Sequence, residues 1–95
     1  MKRVLTLKGF KDWLKSREPN EVMAGFLFDC PIYRFLKETT KSTNVHVGVM
    51  EYSVSGNWYK HSKWSHEFVC AFDDKVMDYT VVNKSVTVAD TLELL

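Results

Sequence analysis

Cysteine occurs only twice, at Cys30 and Cys70. A disulfide framework of the secreted mini-protein kind needs more, so the two read as reduced thiols of a cytosolic protein, with a single bridge left open by the sequence. No stretch approaches the roughly 18 apolar residues that a membrane-spanning helix requires. The basic start Met1-Lys2-Arg3-Val4-Leu5 regains charge at Lys8, before the apolar core of a signal peptide can form. Cytoplasmic residence is the expectation, without a membrane partner. Charge of one sign is also scarce: 13 Lys and Arg face 12 Asp and Glu, a formal net charge of +1. No global field favours nucleic acid, and any such binding would need a local patch. There is no Cys-x-x-Cys or His-x-x-x-His spacing, so Cys30, Cys70 and the three histidines do not form a recognisable metal set. Neither a metal nor a cofactor is expected, and no small-molecule ligand is inferred. Repeats and low-complexity tracts are absent.

What the 95 residues do contain is a dense apolar and aromatic complement: 45% hydrophobic, 14% aromatic, with Trp13, Trp58 and Trp64 among the rings. A chain of this length has room for one core, of which large rings are an efficient filling. Residues 1–95 are therefore expected to form a single α+β domain, with helices packed on one face of a small antiparallel sheet.

The stretch Asp29-Cys30-Pro31-Ile32-Tyr33-Arg34-Phe35-Leu36-Lys37-Glu38 organises the first half. Pro31 suits the first turn of a helix, with Asp29 or Cys30 as the cap and Asp29 the better side chain for it. Ile32, Phe35 and Leu36 make its buried stripe. Upstream, Thr6 reads as the cap of a helix from Leu7 to about Ser16, with Leu5 and Phe10 as a hydrophobic staple. Phe10, Trp13 and Leu14 face inward there, Lys8, Lys11 and Lys15 outward, and Gly9 weakens the element slightly. Pro19 closes the segment. Glu21 to Phe28 reads as a buried connection, with a short helical turn at its start.

Val45 to Val54 reads as one strand, Val45, Val47 and Val49 on one side and His46, Met50, Tyr52 and Val54 on the other. Ser55-Gly56-Asn57 turns it into a return strand over Trp58 to His61. Lys63 to Asp74 fits a helix, with Ser62 as cap and Trp64, Phe68, Ala71 and Phe72 in register, better than a strand that would leave Trp64 without a place. Met77 to Val82 has strand-like residues. Thr87 and Asp90 resemble a capping box for a last short helix bearing Leu92 and Leu95.

The order of Phe-x-x-Trp-Leu-Lys (10–15), Pro-x-Glu-Val (19–22), Cys-Pro-Ile-x-x-Phe-Leu-Lys-Glu (30–38), Val-x-Val-Gly (45–48), Trp-x-x-x-Phe-Val (64–69) and Val-Thr-x-x-x-x-Leu (86–92) is similar to a group of small uncharacterised proteins of bacteria and their mobile elements. The resemblance implies the helix reading of Lys63 to Asp74 and implies no activity. His66 lies outside its pattern.

Three functional readings follow. A non-catalytic protein-binding or accessory module, engaging a protein partner or a second copy, would use the aromatics of the hairpin, Tyr52, Trp58 and Tyr59. The charge split supports self-association: residues 1–41 carry an excess of +4 and residues 42–95 an excess of −3. A thiol hydrolase or transferase would use Cys30 as nucleophile, lowered in pKa by its helix N-terminus, His66 (or His46 or His61) as base, and Asp78 or Glu67 as orienter. Against it, Pro31 removes an N–H from where an oxyanion donor would sit. A nucleic-acid interface would use the helix face of Lys8, Lys11 and Lys15, although such faces are usually plain solvated surface. The binding module is the reading carried forward, with no enzyme activity.

Overall fold

A computed structural model describes residues 5–24, 30–82 and 84–95. Helix α1 (Leu7–Lys15) opens on Thr6, whose hydroxyl accepts from the Gly9 amide at 3.1 Å. Leu5 and Phe10, flanking the cap, are both buried, as a hydrophobic staple requires. A Cβ on Gly9 would lie 2.8 Å from the Thr6 hydroxyl oxygen, so the glycine makes space for the cap rather than merely weakening the helix.

Helix α2 (Pro31–Thr40) starts with Pro31 in its first turn and Cys30 at the cap, without a side-chain capping bond; Asp29 and Phe26 to Phe28 lie outside the described residues. Ile32, Phe35 and Leu36 are buried as the stripe predicts, and Lys41 ends the helix in the left-handed region at φ 59°. The start of the connection between the first two helices is not a helical turn. Val22–Ala24 form strand β1, paired antiparallel with a C-terminal strand, β5 (Val86–Thr87). This pair joins residues more than sixty positions apart, a contact that local pattern does not encode.

The predicted strand over Val45 to Val54 is two strands, β2 (Val45–Val47) and β3 (Glu51–Val54), followed by β4 (Asn57–Lys60) in the order β2-β3-β4. The single hairpin expected from Val45 to His61 is thus a three-stranded meander. The chain reverses at Gly48-Val49-Met50, closed by the Gly48 amide donating to the Glu51 carbonyl at 2.8 Å. The reversal re-sorts the faces: Val45 lies opposite Val54 and Val47 opposite Tyr52, so all four share the inner face. The second turn is one residue shorter than the expected Ser55-Gly56-Asn57: it has two residues, Ser55 and Gly56, at φ 52° and 85°, and Asn57 already belongs to β4.

Helix α3 runs from Lys63 to Val81, so Met77 to Val81 are helical and add no strand. A helix once nucleated gains a bond with each residue added. The inward stripe of Phe68 and Phe72 continues through Val76 and Tyr79, which pack on the core. Helix α4 (Val88–Glu93) has the anticipated capping box: Thr87 Oγ1 accepts from the Asp90 amide, and Asp90 Oδ2 accepts from the Thr87 amide at 3.0 Å. Tyr79 donates to the other oxygen of Asp90 at 3.3 Å, tying α4 to α3.

One cluster gathers buried side chains from the helices and both sheets. At its centre is the fully buried Phe10, with ring centroids of Phe68 at 5.2 Å, Phe35 at 5.5 Å and Trp64 at 5.9 Å. Tyr52 and Val54 close the cluster from the inner face of the meander. The architecture is α+β, four helices with two small antiparallel sheets rather than one.

The backbone and hydroxyl of Thr87 hold the Asp90 carboxyl below its ordinary range. Its stabilising contribution is therefore present above the ordinary carboxylate pKa and lost as pH falls through the depressed one. Asp90→Ala should cost about 1 kcal/mol at neutral pH, lowering Tm by about 4–8 °C. In thermal melts the gap to the wild type should close in acid.

Candidate binding cleft

An open cleft with a volume of about 720 Å3 lies between β2, the start of α2 and the middle of α3. That is within the range of ligand-binding clefts, roughly 300–1,000 Å3. Its long wall is the unbroken run Val45 to Val49, that is, β2 and the turn after it. Cys30 and Tyr33 contribute from α2, Val69 and Asp73 from successive turns of α3, and Glu51 and Trp58 from β3 and β4.

Ladder parity decides what β2 presents to this space. The Ser55 amide donates to the Asn44 carbonyl at 2.8 Å on one side of the β2–β3 ladder, and Gly48 pairs with Glu51 on the other. The hydrogen-bonded positions are therefore Asn44, His46 and Gly48, and the residues between, Val45 and Val47, direct their N–H and C=O groups away from β3. Among the described residues β2 is an edge strand and none hydrogen-bonds those four groups; Val45 is itself buried, 5% exposed, and Val47 half-buried, so Val47 is the more accessible of the two.

Histidines hold the end of this wall. His61 Nε2 donates to the Gly48 carbonyl at 2.9 Å, His66 Nδ1 to the Val49 carbonyl at 2.8 Å, and the His61 amide to the Met50 carbonyl at 3.1 Å. With Nε2 protonated, neutral His61 accepts at Nδ1 from the buried Ser65 hydroxyl, 2.9 Å away. Burial lowers the His61 pKa, and the neighbouring His66 adds to the effect against the Gly48 bond, which opposes it. Three carbonyls in a row are thus satisfied from α3 and its approach, and the turn is fixed in place. On the outer face His46 stacks on Trp58, ring centroids 6.4 Å apart, across the strand position of Ser53, which is 1% exposed.

Cys30 lines the cleft, but burial of its sulfur pushes the pKa up to about 11, outweighing the Ile32 and Tyr33 amides, which lower it. The lowered value expected at a helix start is reversed because desolvation exceeds the dipole. His66 is committed to Val49, His61 to Gly48 and Ser65, and His46 Nε2 to the Asn44 side chain at 3.1 Å. Asp78 is twelve residues beyond His66 on the same helix, about 18 Å along its axis, and cannot orient it. Glu67 is exposed. Both cysteines are free thiols.

Of the aromatics anticipated as an interaction surface, Tyr52 is buried, 5% exposed and stacked on the half-buried Tyr59 at 5.2 Å, so it serves the core. Trp58 is 60% exposed and lines the cleft. Lys8, Lys11 and Lys15 lie along the outward side of α1, away from the cleft, and Lys8 is paired with Asp12 at 3.0 Å. On α2, Arg34 meets Glu21 at 3.3 Å and Lys37 lies over the Tyr33 ring. Among the described residues no group of three or more His, Cys, Asp or Glu could hold a metal ion, and no helix is long and apolar enough to cross a membrane.

The residues that sequence reasoning missed are Val45, Val47, Val69, Tyr33, Glu51 and Asp73. A β-branched strand was visible at Val45 to Val47, but that its far edge stays open is a property of the strand order. A scan against protein-family models, a search of curated proteins and a search of solved structures each found no match.

In a Cys70→Ser background, the rate of Cys30 alkylation by iodoacetamide should keep climbing past pH 10. A plateau below pH 8 would mean that the thiolate is stabilised after all.

Proposed function

We propose that the protein is a small non-catalytic binding module that takes an extended segment of a partner polypeptide along the open edge of β2. The observation that carries the reading is the coincidence of that edge with the cleft: the outward N–H and C=O groups of Val45 and Val47 line the one wall that is continuous backbone. An added strand gains main-chain hydrogen bonds there, while pockets on either side of the sheet read its alternating side chains. Exposed edges are usually blunted by charge or proline; this one carries Val-His-Val, with Tyr33 and Val69 on the inner side and Trp58 on the outer. The turn is pinned from α3, so the wall is formed before a ligand arrives, and preorganisation reduces the cost of binding.

The absence of a catalytic step is part of the proposal, supported by the raised Cys30 pKa and by the three imidazoles engaged elsewhere. A reducing, cytoplasmic setting suits two free thiols, one exposed. A second copy pairing through the same edge is the competing occupant, since two β2 strands related by a twofold axis can add to one another.

Val47→Pro tests the reading, because the Val47 amide points away from β3 and its loss leaves the ladder intact. Peptides selected on the wild type from a display library should bind the variant at least about tenfold more weakly, with unchanged circular dichroism. Equal binding by wild type and variant would place their site elsewhere.

A further inference from the structure

The charge of the cleft says more about its occupant. Among the described residues no lysine or arginine lines it, whereas two carboxylates do, Glu51 at the turn end of β3 and Asp73 on α3. Glu51 lies on the outer side of the sheet, one position before the inward Tyr52, and Asp73 projects from the helix layer, so the two flank the β2 edge from opposite sides. Among the described residues neither belongs to an ion pair; Lys60, opposite Glu51 in the β3–β4 ladder, forms none with it. The Asp73 carboxyl is raised above its ordinary range by burial and then by Asp74 beside it. Its negative charge in turn helps to raise the Cys30 thiol. Asp73 is nonetheless an exposed residue, and a carboxylate with a like charge next to it is a position that gains from a cation, which no described residue supplies as an ion pair.

Resting on the reading of β2 as a strand-accepting edge, we propose that the partner segment is basic and apolar in alternation, with a lysine or arginine side chain seated against Asp73. A strand laid on β2 turns successive side chains to opposite sides of the sheet. Those on the inner side lie between Val45 and Val47 and the α3 wall of Val69 and Asp73; those on the outer side lie beside Trp58, His46 and Glu51. An apolar stem with a charged head fits the inner side, because the methylenes of lysine or arginine cover Val69 and Tyr33 while the head reaches Asp73. On the outer side an arginine can lie on the exposed Trp58 ring next to Glu51. An acidic segment is disfavoured twice over, by repulsion from the carboxylates and by the lack of any cation in the lining.

The probes are two end-capped octapeptides, one alternating valine with lysine and one alternating valine with glutamate. Each is titrated into 15N-labelled protein, with affinity read from amide shifts and the Val45 and Val47 amides marking the site. The lysine peptide should shift those amides and bind about tenfold or more tightly than the glutamate peptide, since the two carboxylates attract the one and repel the other. Asp73→Asn removes an unfavourable charge and should fold as well as the wild type; it should bring the two peptides to within about threefold while the Val45 and Val47 shifts persist. If both peptides shift these amides equally in the wild type, the charge inference fails and the strand-accepting edge stands. If neither moves them, the edge reading itself fails. If the shifts occur without peptide and grow with protein concentration, the occupant is a second copy, and the basic-segment proposal is overturned.

Discussion

The ring of Phe10 is the contact on which the arrangement depends. It stands on α1 and meets Phe35 and Phe68 edge-on, interplanar angles 73° and 76°, so the first three helices converge on a single side chain. Edge-to-face pairs of this kind contribute about 0.5–1.5 kcal/mol each beyond the area they bury. Loss of a buried phenylalanine costs about 3–5 kcal/mol, a large part of the 5–15 kcal/mol that holds a domain folded. With three helices drawn to one point, the meander closes the cluster through its inner face, by Tyr52 and Val54. Tyr52 is therefore unavailable as a surface anchor, and β2, with Val45 buried and Val47 half-buried, has no strand partner among the described residues on its side next to α2.

Electrostatics reinforces the basic half from within. Arg17 reaches Glu21 at 2.7 Å and Glu38 at 2.5 Å, and its guanidinium lies 4.3 Å from the Trp13 ring. Glu21 also takes Arg34. Two arginines of residues 1–41 are thus engaged in joining α1, the β1 approach and α2. The acids of the second half have fewer such partners, and two of them border the cleft. The charge asymmetry seen in the sequence places an acidic recess beside β2, while among the described residues Lys11 and Lys15 stay without an ion pair on the outward side of α1.

Much of the fold was legible because its determinants are local. Thr6 and Thr87 cap helices with their own hydroxyls, Pro31 opens α2, and Ser55-Gly56 supplies the positive φ of a two-residue turn; each acts within four residues. The errors are equally physical. Val45 to Val54 is β-branched enough to read through Gly48, and the carbonyls of the hidden turn are met by His61 and His66, as many as seventeen residues away. Met77 to Val81 favours strand by composition, but it extends a helix already formed and places Tyr79 on Asp90. Cys30 has the helix N-terminus that lowers a thiol pKa, and the burial that raises it exists only in the folded chain. The cleft was the least legible part, because which backbone groups remain unpaired depends on strand order and parity rather than on any residue's identity.

The claim at the centre is that the outward groups of β2 are open in the free protein and become paired when a strand is added. Residue-resolved amide hydrogen exchange addresses it directly. In the free protein the Val47 amide should exchange far faster than those of His46 and Gly48, which donate across the ladder, and it should become protected on saturation with a bound peptide. A Val47 amide as slow as that of His46 before any ligand is present would contradict the account.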